Sequence, residues 1–468
     1  MQPLWTVAEA VAATGGRPEG LSDGPLSSVS IDSREVQSEA LFVAIKGDSL
    51  DGHDFVAAAL AAGASAALVS EAWYATHRGE KLIVVPDPLK ALEALGRAAR
   101  ARSKALIVAV TGSAGKTTTK EAIRTVLAGA GQTHYSIKSF NNHWGVPLML
   151  ARLPREAQFG VFEIGMNHAG EITQLVKLVR PHIAVVTTVA AAHLEFFPSI
   201  SDIARAKAEI FEGLEDGGAV ILNADHEYLH ILFARARELG IGRVTTYGYD
   251  DEADYRIATP EVAGARTFAR VTQGGEAFDL NLQVRGRHMI ANATAALIVS
   301  QVAGMDRYAA LRELAEFGAA EGRGQTTRVG AYDKPLLLVD ESYNANVASM
   351  NAAMEVFAMV APPGGKKVLV LGDMLELGEQ GAELHRSLKK AVLATGATQV
   401  FLVGKAIEPL ADDLEGSLLA GRARRIEDLM EPILSSLAFG DAVMIKGSKG
   451  VRLASLVAQI KQRFSATA

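Results

Sequence analysis

The sequence predicts an α/β protein of three domains, each organised around a mostly parallel sheet. The 468 residues exceed what one hydrophobic core usually supports, and domains of about 100 to 200 residues correspond to about three domains here. Short apolar runs recur along the chain, separated by segments of helical periodicity. Because these runs are apolar on both faces, they are typical of parallel strands that helices cover on both sides.

Residues 1–88 are expected to form a small N-terminal α/β domain that ends near Pro88. A short helix is predicted over 7–13 and a longer helical stretch over 53–70. Alternating or continuous apolar runs predict strands at 27–32, 40–47 and 81–87.

Residues 89–321 are expected to form the central domain. A helix over 89–104 leads into the apolar strand "ALIVAV", which precedes a glycine-rich loop. Further buried strands are predicted at 159–164, 183–189 and 218–223. In 266–284 two alternating segments flank a Gly-Gly turn, which predicts an antiparallel hairpin added to the sheet. An apolar helix over 289–304 follows.

Residues 322–468 repeat the α/β rhythm and are expected to form a second doubly wound unit. Strands are predicted at 335–341, 367–373, 399–404 and 441–447. The loops after these strands are rich in Gly, Asp, Asn and Lys, and ligands bind at this edge of a parallel sheet.

Composition excludes several classes of function. The chain is 49% apolar with a net charge of -6, which supplies no basic surface for nucleic acid. It contains no cysteine, so disulfides, thiolate metal ligands and a cysteine nucleophile are excluded. Neither a signal peptide nor an apolar run of about 18 residues is found, so we expect a cytoplasmic protein without membrane insertion.

The loop "TGSAGKTT" carries the strongest chemical signal. A turn through Gly112 and Gly115, followed by a helix beginning near Lys116, would direct backbone N–H groups and the helix dipole at one anion. Lys116 would contact terminal phosphates, and Thr117 would coordinate Mg²⁺. The longer pattern GxxxxGK[ST] requires glycine where Val110 stands. The alternative is an ordinary glycine-rich turn with an exposed lysine.

Two residues at the ends of other predicted strands could hold the metal. Glu163 ends the strand "FGVFEI", and His193 follows "IAVVTTV" in the same predicted sheet. Carboxylates are common Mg²⁺ ligands, whereas histidine is less usual. Either residue alone is more often a solvated loop residue, but their shared sheet edge favours a role. Spacing gives Lys207 no role beyond that of a solvated lysine or an ion-pair partner on a helix.

Two further polar turns could bind substrate. Ser33 and Arg34 follow a strand, and a hydroxyl beside a guanidinium can bind phosphate or carboxylate, although a plain surface turn fits as well. Asp340 ends a strand, and Asn344 and Asn346 lie in the loop before a helix. This loop could bind a ribose or a substrate backbone, or it could cap the helix.

The order of these motifs resembles that of the Mur ligases of peptidoglycan synthesis, over essentially the whole chain. The segments that carry the resemblance are "TGSAGKTTT", "SFNNHWGVPL", "EIGMNHAGEI", "AAHLE", "ARAKAEIF", "GRHMIANATAA", "GRGQTTR", "VDESYNAN", "LVLGDMLELGE" and "IKGSKGVRL". Members of the family carry the shorter loop GxxGK[ST], which accounts for Val110. "DESYNAN" and "LGDMLELG" are most similar to members that add D-alanyl-D-alanine. The "DNPR" signature of the ligase for the third-position diamino acid is absent.

The resemblance implies a domain for a UDP-sugar peptide at 1–88, a central P-loop ATPase-like domain at 89–321 and a C-terminal Rossmann-like domain at 322–468 that closes over the site. It also implies ATP and Mg²⁺ as cofactors. The implied ATP contacts are Gly112, Ser113, Ala114, Gly115, Lys116, Thr117, Thr118, Asn292 (adenine), Arg323 (phosphates) and Asp340 (ribose).

The resemblance further assigns the metals to four residues, with the lysine carbamylated: Thr117, Glu163, His193 and Lys207. Together with Lys116, the last three form the implied catalytic set. The implied substrate contacts are Ser33, Arg34, Asn141, Asn142, Tyr343, Asn344 and Asn346. The "HW" after the paired asparagines departs from the "EI" of many members, so no contact is assigned to His143 or Trp144.

The implied reaction joins D-alanyl-D-alanine to UDP-N-acetylmuramoyl-tripeptide through an acyl phosphate. Both substrates are small molecules, and we expect a monomer with a hinge near 322–324. One alternative is another Mur-type or folylpolyglutamate-type amide ligase. A nucleotide-regulated P-loop switch without ligase activity is the alternative from a different class, and it leaves Lys207 and the third domain without a use.

Overall fold

The computed structural model describes residues 3–47, 49–330, 333–414 and 416–465. In these residues the strands form three larger sheets, of five, ten and six strands, and one two-stranded sheet. The predicted α/β class with largely parallel sheets is confirmed, and each larger sheet lies inside one predicted domain. The domain boundaries themselves remain predictions. In the described part of the chain no helix is both long and apolar enough to span a membrane.

The N-terminal region is built on the five-stranded sheet and the two-stranded sheet. Its strands are β1 (Trp5–Thr6), β2 (Arg17–Glu19), β3 (Pro25–Leu26), β4 (Ser28–Ser30), β5 (Ala40–Val43), β6 (Ala66–Ser70) and β7 (Leu82–Val85). Its helices are α1 (Val7–Thr14), α2 (Val56–Ala61) and α3 (Glu71–Tyr74), with 3₁₀ turns at Ser33–Glu35 and Gly52–Phe55. The five-stranded order is β2-β7-β6-β5-β4, in which β2 is antiparallel to β7 and the other pairs are parallel.

The predicted helical stretch over 53–70 is confirmed in its first half, which forms a 3₁₀ turn and α2, and is wrong in its second half. Helix α2 ends at Ala61, Gly63 turns the chain at φ +110°, and the buried strand β6 begins at Ala66. A short alanine-rich strand that is buried on both faces has the same apolar profile as a buried helix. This segment forms a strand because it pairs with β5 on one side and β7 on the other. The hydrophobic periodicity of the sequence carries no information about that pairing.

The central region carries the ten-stranded sheet. Its strands are β8 (Leu106–Thr111), β9 (Thr133–Tyr135), β10 (Phe159–Glu163), β11 (Ile183–Val186), β12 (Ala219–Asn223), β13 (Val244–Gly248), β14 (Tyr255–Ile257), β15 (Glu261–Ala263), β16 (Arg266–Gln273) and β17 (Glu276–Leu282). Its helices are α4 (Pro88–Arg102), α5 (Lys116–Ala128), α6 (Gly145–Ala151), α7 (Glu171–Val179), α8 (Ile200–Ala208), α9 (Leu229–Glu238), α10 (Arg287–Val302) and α11 (Arg307–Ala315), with 3₁₀ turns at Leu194–Phe196 and Glu209–Gly213.

The strand order of this sheet positions the site. It runs β15-β16-β14-β13-β12-β11-β8-β10-β9, with β17 paired to β16, and the strands from β14 to β9 are parallel. The predicted hairpin is confirmed as the antiparallel pair β16 and β17. Strand β8 lies between β10 and β11, so its glycine loop is flanked by the carboxyl ends of both neighbours. The register places Glu163 opposite Val110, directly before that loop.

The C-terminal region carries the six-stranded sheet. Its strands are β18 (Gln325–Val329), β19 (Leu336–Glu341), β20 (Lys367–Gly372), β21 (Gln399–Val403), β22 (Leu419–Ala423) and β23 (Ala442–Lys446). Its helices are α12 (Val347–Ala358), α13 (Gly381–Arg386), α14 (Lys389–Ala394), α15 (Glu408–Asp413), α16 (Met430–Ser436) and α17 (Ala454–Ser465), with 3₁₀ turns at Gly378–Gln380, Ile426–Asp428 and Lys449–Val451. The order is β18-β19-β23-β20-β21-β22, in which β18 alone is antiparallel among these described strands.

The first two regions share one hydrophobic core, whereas the third has its own. Trp5 at the start of the chain is buried with residues of α4 and β8 in a single apolar cluster, and its indole Nε1 donates to the Ala151 carbonyl at 2.8 Å. The Arg102 guanidinium lies 3.6 Å from the Trp5 ring centroid. Separate clusters cover the two faces of the C-terminal sheet. The N-terminal segment is therefore fastened to the central region.

Candidate active site

The glycine loop is held in shape by the end of the neighbouring strand β11. Gly112 has φ +151°, and a Cβ there would lie 1.9 Å from the Thr187 Oγ1. The same hydroxyl donates to the Ala114 carbonyl at 2.5 Å, and Ser113 Oγ donates to the Ala190 carbonyl at 2.9 Å. Glycine is therefore required at position 112, where the loop passes closest to the end of β11.

Helix α5 begins directly after the loop, as the sequence predicts. Gly115 occupies the left-handed N-cap position at φ +80°, and Lys116 is the first helical residue. The backbone N–H groups of such a first turn have no partner within the helix, so they are available to an anion. The Lys116 Nζ donates to the Gly112 carbonyl at 2.7 Å, which folds this side chain back over the loop. The alternative of an exposed lysine is wrong, because Lys116 is half-buried.

A carboxylate stands beside the first turn of α5. The Thr117 hydroxyl donates to Glu163 Oε2 at 2.7 Å, and the Asn141 side-chain amide donates to Glu163 Oε1 at 2.7 Å. The Ser136 hydroxyl accepts from the Glu163 backbone N–H at 3.2 Å. Glu163 is buried with Thr117, so the alternative of a solvated loop residue is wrong. Asn142 instead accepts from the Gly145 N–H and caps the start of α6.

Two lysines lie close to each other in this site. The Lys207 side chain is only 2% exposed, and its ammonium has no hydrogen bond or ion pair to any residue that the structure describes. Burial holds the pKa of Lys207 well below its usual value, and the charge of Lys116 lowers it further. Burial also lowers the pKa of Lys116. The charge of Glu163 acts in the opposite direction and raises this pKa, whereas the charge of Arg323 lowers it further. The reading of Lys207 as solvated or ion-paired is wrong.

His193 is bound to the third region. Its ring Nδ1 lies 2.6 Å from Glu376 Oε2, and the Glu195 N–H donates to the Glu376 carbonyl at 3.1 Å. The loop that carries His193 is joined to the glycine loop by the mutual hydrogen bonds of Ser113 and Ala190.

The third region contributes several of the predicted residues to the same opening. The Asn346 side-chain amide donates to the Ser113 carbonyl at 3.0 Å, while its Oδ1 caps helix α12. The Arg323 guanidinium lies 4.2 Å from the Tyr343 ring centroid. The expected helix cap is therefore confirmed, and the contact of Asn346 with substrate stays a prediction.

The other predicted nucleotide contacts, Asn292 and Asp340, and the predicted substrate contact Asn344 each bond or pack differently. Asn292 on α10 is buried, and its Oδ1 would lie 3.0 Å from a Cβ placed on Gly115. The Asp340 carboxylate is buried and accepts from the N–H and the hydroxyl of Ser342. The Asn344 carbonyl accepts from Lys446 Nζ at 3.0 Å.

Ser33 and Arg34 lie away from these contacts, at the edge of the N-terminal region. The Arg34 guanidinium pairs with Asp32 at 2.7 Å and is exposed. This hydrogen bond lowers the pKa of Asp32 to about 2. An ion pair of Glu35 with Lys138 joins the turn to the loop that carries Asn141. A cleft of about 730 Å³ opens here between the two regions.

The lining of this cleft combines polar side chains from both regions, basic side chains from the central region, and the carboxylates of Glu35 and Glu156. The N-terminal region supplies Ser28, Ser30 and Gln37, and the central region supplies Lys138, Arg152 and Arg155.

The donors at the glycine loop fit Mg²⁺. Among the described residues no group of three or more His, Asp or Glu side chains forms a ready metal cluster. Mg²⁺ nevertheless needs few protein ligands when phosphate oxygens and water complete its octahedron. The Thr117 hydroxyl and the Glu163 carboxylate, at 2.7 Å from each other, are hard oxygen donors of this kind. The fuller metal set with His193 and Lys207 stays a prediction.

Sequence reasoning missed four residues that shape the site. Glu376 lies in the quoted motif "LGDMLELGE" without having been singled out, and Thr187 shapes the loop from β11. Lys446 is buried at the end of β23 and lies 3.2 Å from Glu341 Oε2. Lys446 and Glu341 could have been found from the sequence, because each is a charged residue at the end of an apolar strand. For Thr187 and Glu376 the signal lies only in the fold.

Comparison with known proteins matches all three regions to one family. The model described as "Mur ligase family, catalytic domain" matches 25–102, "Mur ligase middle domain" matches 110–300, and "Mur ligase, glutamate ligase domain" matches 322–449. These matches follow the division of the chain into its three larger sheets.

Whole-chain relatives agree with these matches. The UDP-N-acetylmuramoyl-tripeptide--D-alanyl-D-alanine ligase of Escherichia coli is 34% identical and covers 98% of this chain and 98% of its own length. That of Rickettsia prowazekii is 31% identical over 92% of this chain and 94% of its own length. A crystal structure of MurF from Acinetobacter baumannii superposes with a TM-score of 0.83 at 27% identity, covering 98% of this chain and 99% of that one. From these likenesses and the site geometry it follows that the chain belongs to the Mur ligase family.

Proposed function

We propose that this protein is the ATP-dependent ligase that joins D-alanyl-D-alanine to UDP-N-acetylmuramoyl-tripeptide, in cytoplasmic peptidoglycan precursor synthesis. The relatives named for this reaction match nearly the full chain. The observation that carries the proposal is the glycine loop with Lys116 and the Thr117–Glu163 pair at its mouth. A second buried lysine, Lys207, is near enough to Lys116 for the charge of Lys116 to lower its pKa.

The first step has to bring two anions together. The carboxylate of the tripeptide attacks the γ-phosphorus of ATP, an acyl C–O–P bond forms, and the bond to the bridging oxygen breaks so that ADP leaves. The Lys116 ammonium and the free N–H groups of α5 lie where negative charge collects on the phosphates. Such preorganised positive groups stabilise phosphoryl transfer because they need no rearrangement during the reaction.

Mg²⁺, when bound, would neutralise the phosphate oxygens and orient them. Thr117 and Glu163 would hold it, with Asn141 fixing the second carboxylate oxygen. Lys207 is suited to carbamylation because its lowered pKa favours the neutral amine. That amine adds to CO₂ and loses one proton, which gives a carbamate anion. A buried amine near Lys116 would thereby become an anionic oxygen donor.

The substrates are proposed to enter from two sides. The cleft between the first two regions, with its serine, glutamine and basic side chains, is suited to the UDP-sugar end. Asn346 of the third region donates to the Ser113 carbonyl of the glycine loop, and Arg323, which stacks on Tyr343, is near enough to Lys116 to lower its pKa. The amine of D-alanyl-D-alanine attacks the acyl carbon, and the tetrahedral intermediate expels phosphate. Closure by the third region excludes water, which would otherwise hydrolyse the acyl phosphate.

The glycines beside this region support the predicted hinge. Gly322 and Gly324 have φ of +71° and +93°, a conformation that glycine adopts without steric cost. We also propose that the protein is a monomer and is located in the cytoplasm.

Phosphate release measured with each substrate omitted in turn tests the function. Turnover should require ATP, Mg²⁺, the UDP-tripeptide and D-alanyl-D-alanine together. Release with glutamate or a free diamino acid in place of the dipeptide would instead identify another amide ligase of the superfamily. Slow hydrolysis that no acceptor stimulates would favour a P-loop switch.

A further inference from the structure

Glu376 is the residue through which the third region reaches the predicted metal ligand His193. Its Oε2 lies 2.6 Å from His193 Nδ1 across 183 residues of sequence. An ionised carboxylate only accepts hydrogen bonds, so the imidazole must carry its proton on Nδ1.

Fixing Nδ1 as the donor defines what the other ring nitrogen can do. In the neutral ring, Nε2 then carries a lone pair, and it has no hydrogen-bond partner among the described residues. Histidines that bind metals usually donate their second N–H to a carboxylate or a carbonyl, which fixes the tautomer and the ring orientation. His193 and Glu376 have this arrangement, with the two partners supplied by different regions of the chain.

Backbone geometry on both sides of the contact makes it specific. His193 and Glu376 both adopt left-handed conformations, with φ of +61° and +63°, which non-glycine residues adopt only where the surroundings impose them. The Glu376 carbonyl also accepts from the Glu195 N–H at 3.1 Å. Gly378 packs so closely that a Cβ there would lie 3.2 Å from the Glu195 Cα. One side-chain bond, one backbone bond and one close approach therefore join the two segments.

We propose that Glu376 is a positioning residue, which sets the tautomer and orientation of His193 for the nucleotide-bound metal only when the third region is docked. The inference rests on the proposed function for its role in turnover. Docking of the third region would then also complete the metal site. A third region that is undocked leaves His193 free to rotate and to change tautomer.

The direct test observes the ring itself, without nucleotide or metal. In protein labelled with ¹⁵N-histidine, His193→Gln identifies the His193 resonances by their disappearance. The native ring should show a protonated Nδ1 and an unprotonated Nε2, and Glu376→Gln should shift it toward the other tautomer. The matched control is Glu379→Gln, an exposed glutamate three residues away, which should change nothing. An unchanged His193 spectrum in both Glu376→Gln and Glu376→Ala, the second of which leaves no acceptor for Nδ1–H, would overturn the proposal.

The second test measures metal dependence. Titration calorimetry of a non-hydrolysable ATP analogue at increasing Mg²⁺ should show Glu376→Gln needing about 10 to 100 times more Mg²⁺, as loss of such an outer partner usually does. Glu376→Asp should recover part of this loss. In a His193→Gln background, Glu376→Gln should add no further effect, because the glutamate acts only through the imidazole. Additive effects would show that Glu376 acts on folding instead.

These two readouts do not require turnover. If the native enzyme shows no ligase activity while the tautomer and Mg²⁺ effects are present, the proposed function fails and the positioning role stands. If ligase activity is normal and Glu376→Gln matches Glu379→Gln in every assay, the positioning role fails and the function stands.

Discussion

Gly112→Ala is expected to damage the phosphate-binding loop far more than a typical surface substitution. The new Cβ would lie 1.9 Å from the Thr187 hydroxyl oxygen and 3.1 Å from the Thr188 backbone nitrogen. The hydroxyl is buried and already donates to the Ala114 carbonyl. It therefore cannot rotate away without breaking a buried hydrogen bond, and the backbone on the other side cannot yield.

The expected cost combines two terms. A buried polar group that loses its hydrogen bond costs about 1 to 3 kcal/mol. Alanine at the Gly112 φ of +151° costs about 1 to 3 kcal/mol more as backbone strain. The sum of about 2 to 6 kcal/mol should divide between the free energy of unfolding and the affinity for nucleotide, and each 1.4 kcal/mol corresponds to about tenfold in affinity.

Urea unfolding and titration calorimetry with a non-hydrolysable ATP analogue measure these two parts. Gly217→Ala is the control, because Gly217 also has positive φ but no atom within 4 Å of its Cβ, so it should lose about 1 kcal/mol of stability only. Adding Thr187→Ala to Gly112→Ala removes the clashing oxygen and should restore part of the loss. If Gly112→Ala matches the native protein in both measurements, the steric reasoning is refuted.

Three other substitutions follow from the site and the core. Lys207→Ala should leave the free energy of unfolding unchanged or higher, since it removes a buried amine without a partner, while phosphate release falls about 100-fold or more; a stability loss with full activity would contradict this. Glu163→Gln should raise the Mg²⁺ concentration for half-maximal turnover by about 10 times or more, because losing a direct ligand should cost at least as much as losing an outer partner, whereas unchanged Mg²⁺ dependence would remove Glu163 from the metal site. Burial lowers the pKa of His134 to about 4. The unfolded chain therefore binds this proton more tightly, and stability should fall by at most about 3 kcal/mol as pH drops from about 6.5 to 4. His134→Gln should flatten that slope in urea unfolding at a series of pH values, and an unchanged slope would exclude His134 as its source.

Sequence patterns predicted the elements that depend on local signals. The apolar run before Gly112 predicted β8, and the Gly-Gly turn predicted the hairpin, because strand burial and turn conformation leave marks within a few residues. The burial of Lys207 was not predicted, although a signal for it was present. Lys207 follows Ile203 by four residues and precedes Ile210 by three, a helical spacing that corresponds to the inward face, but lysine is usually solvated and was interpreted so.

Such local patterns could not predict contacts between segments that lie far apart in the sequence. The bonds of His193 with Glu376 and of Asn346 with Ser113 join residues 183 and 233 positions apart. Their formation depends on how whole domains dock, and no local period records it. The roles assigned to Asn292 and Asp340 came from the family resemblance, and their burial alone does not distinguish a nucleotide contact from a structural one.

The bond between Asn346 and the Ser113 carbonyl makes the start of α12 part of the glycine loop's own hydrogen bonding. A molecule that alters the loop on binding therefore changes the free energy of holding the third domain in place. Linkage of this kind is reciprocal, so any partner that draws the third domain inward must tighten nucleotide binding by the same factor as nucleotide tightens binding of that partner. The strength of this coupling would then be readable from affinities alone, as the ratio of the nucleotide affinities measured with and without that partner.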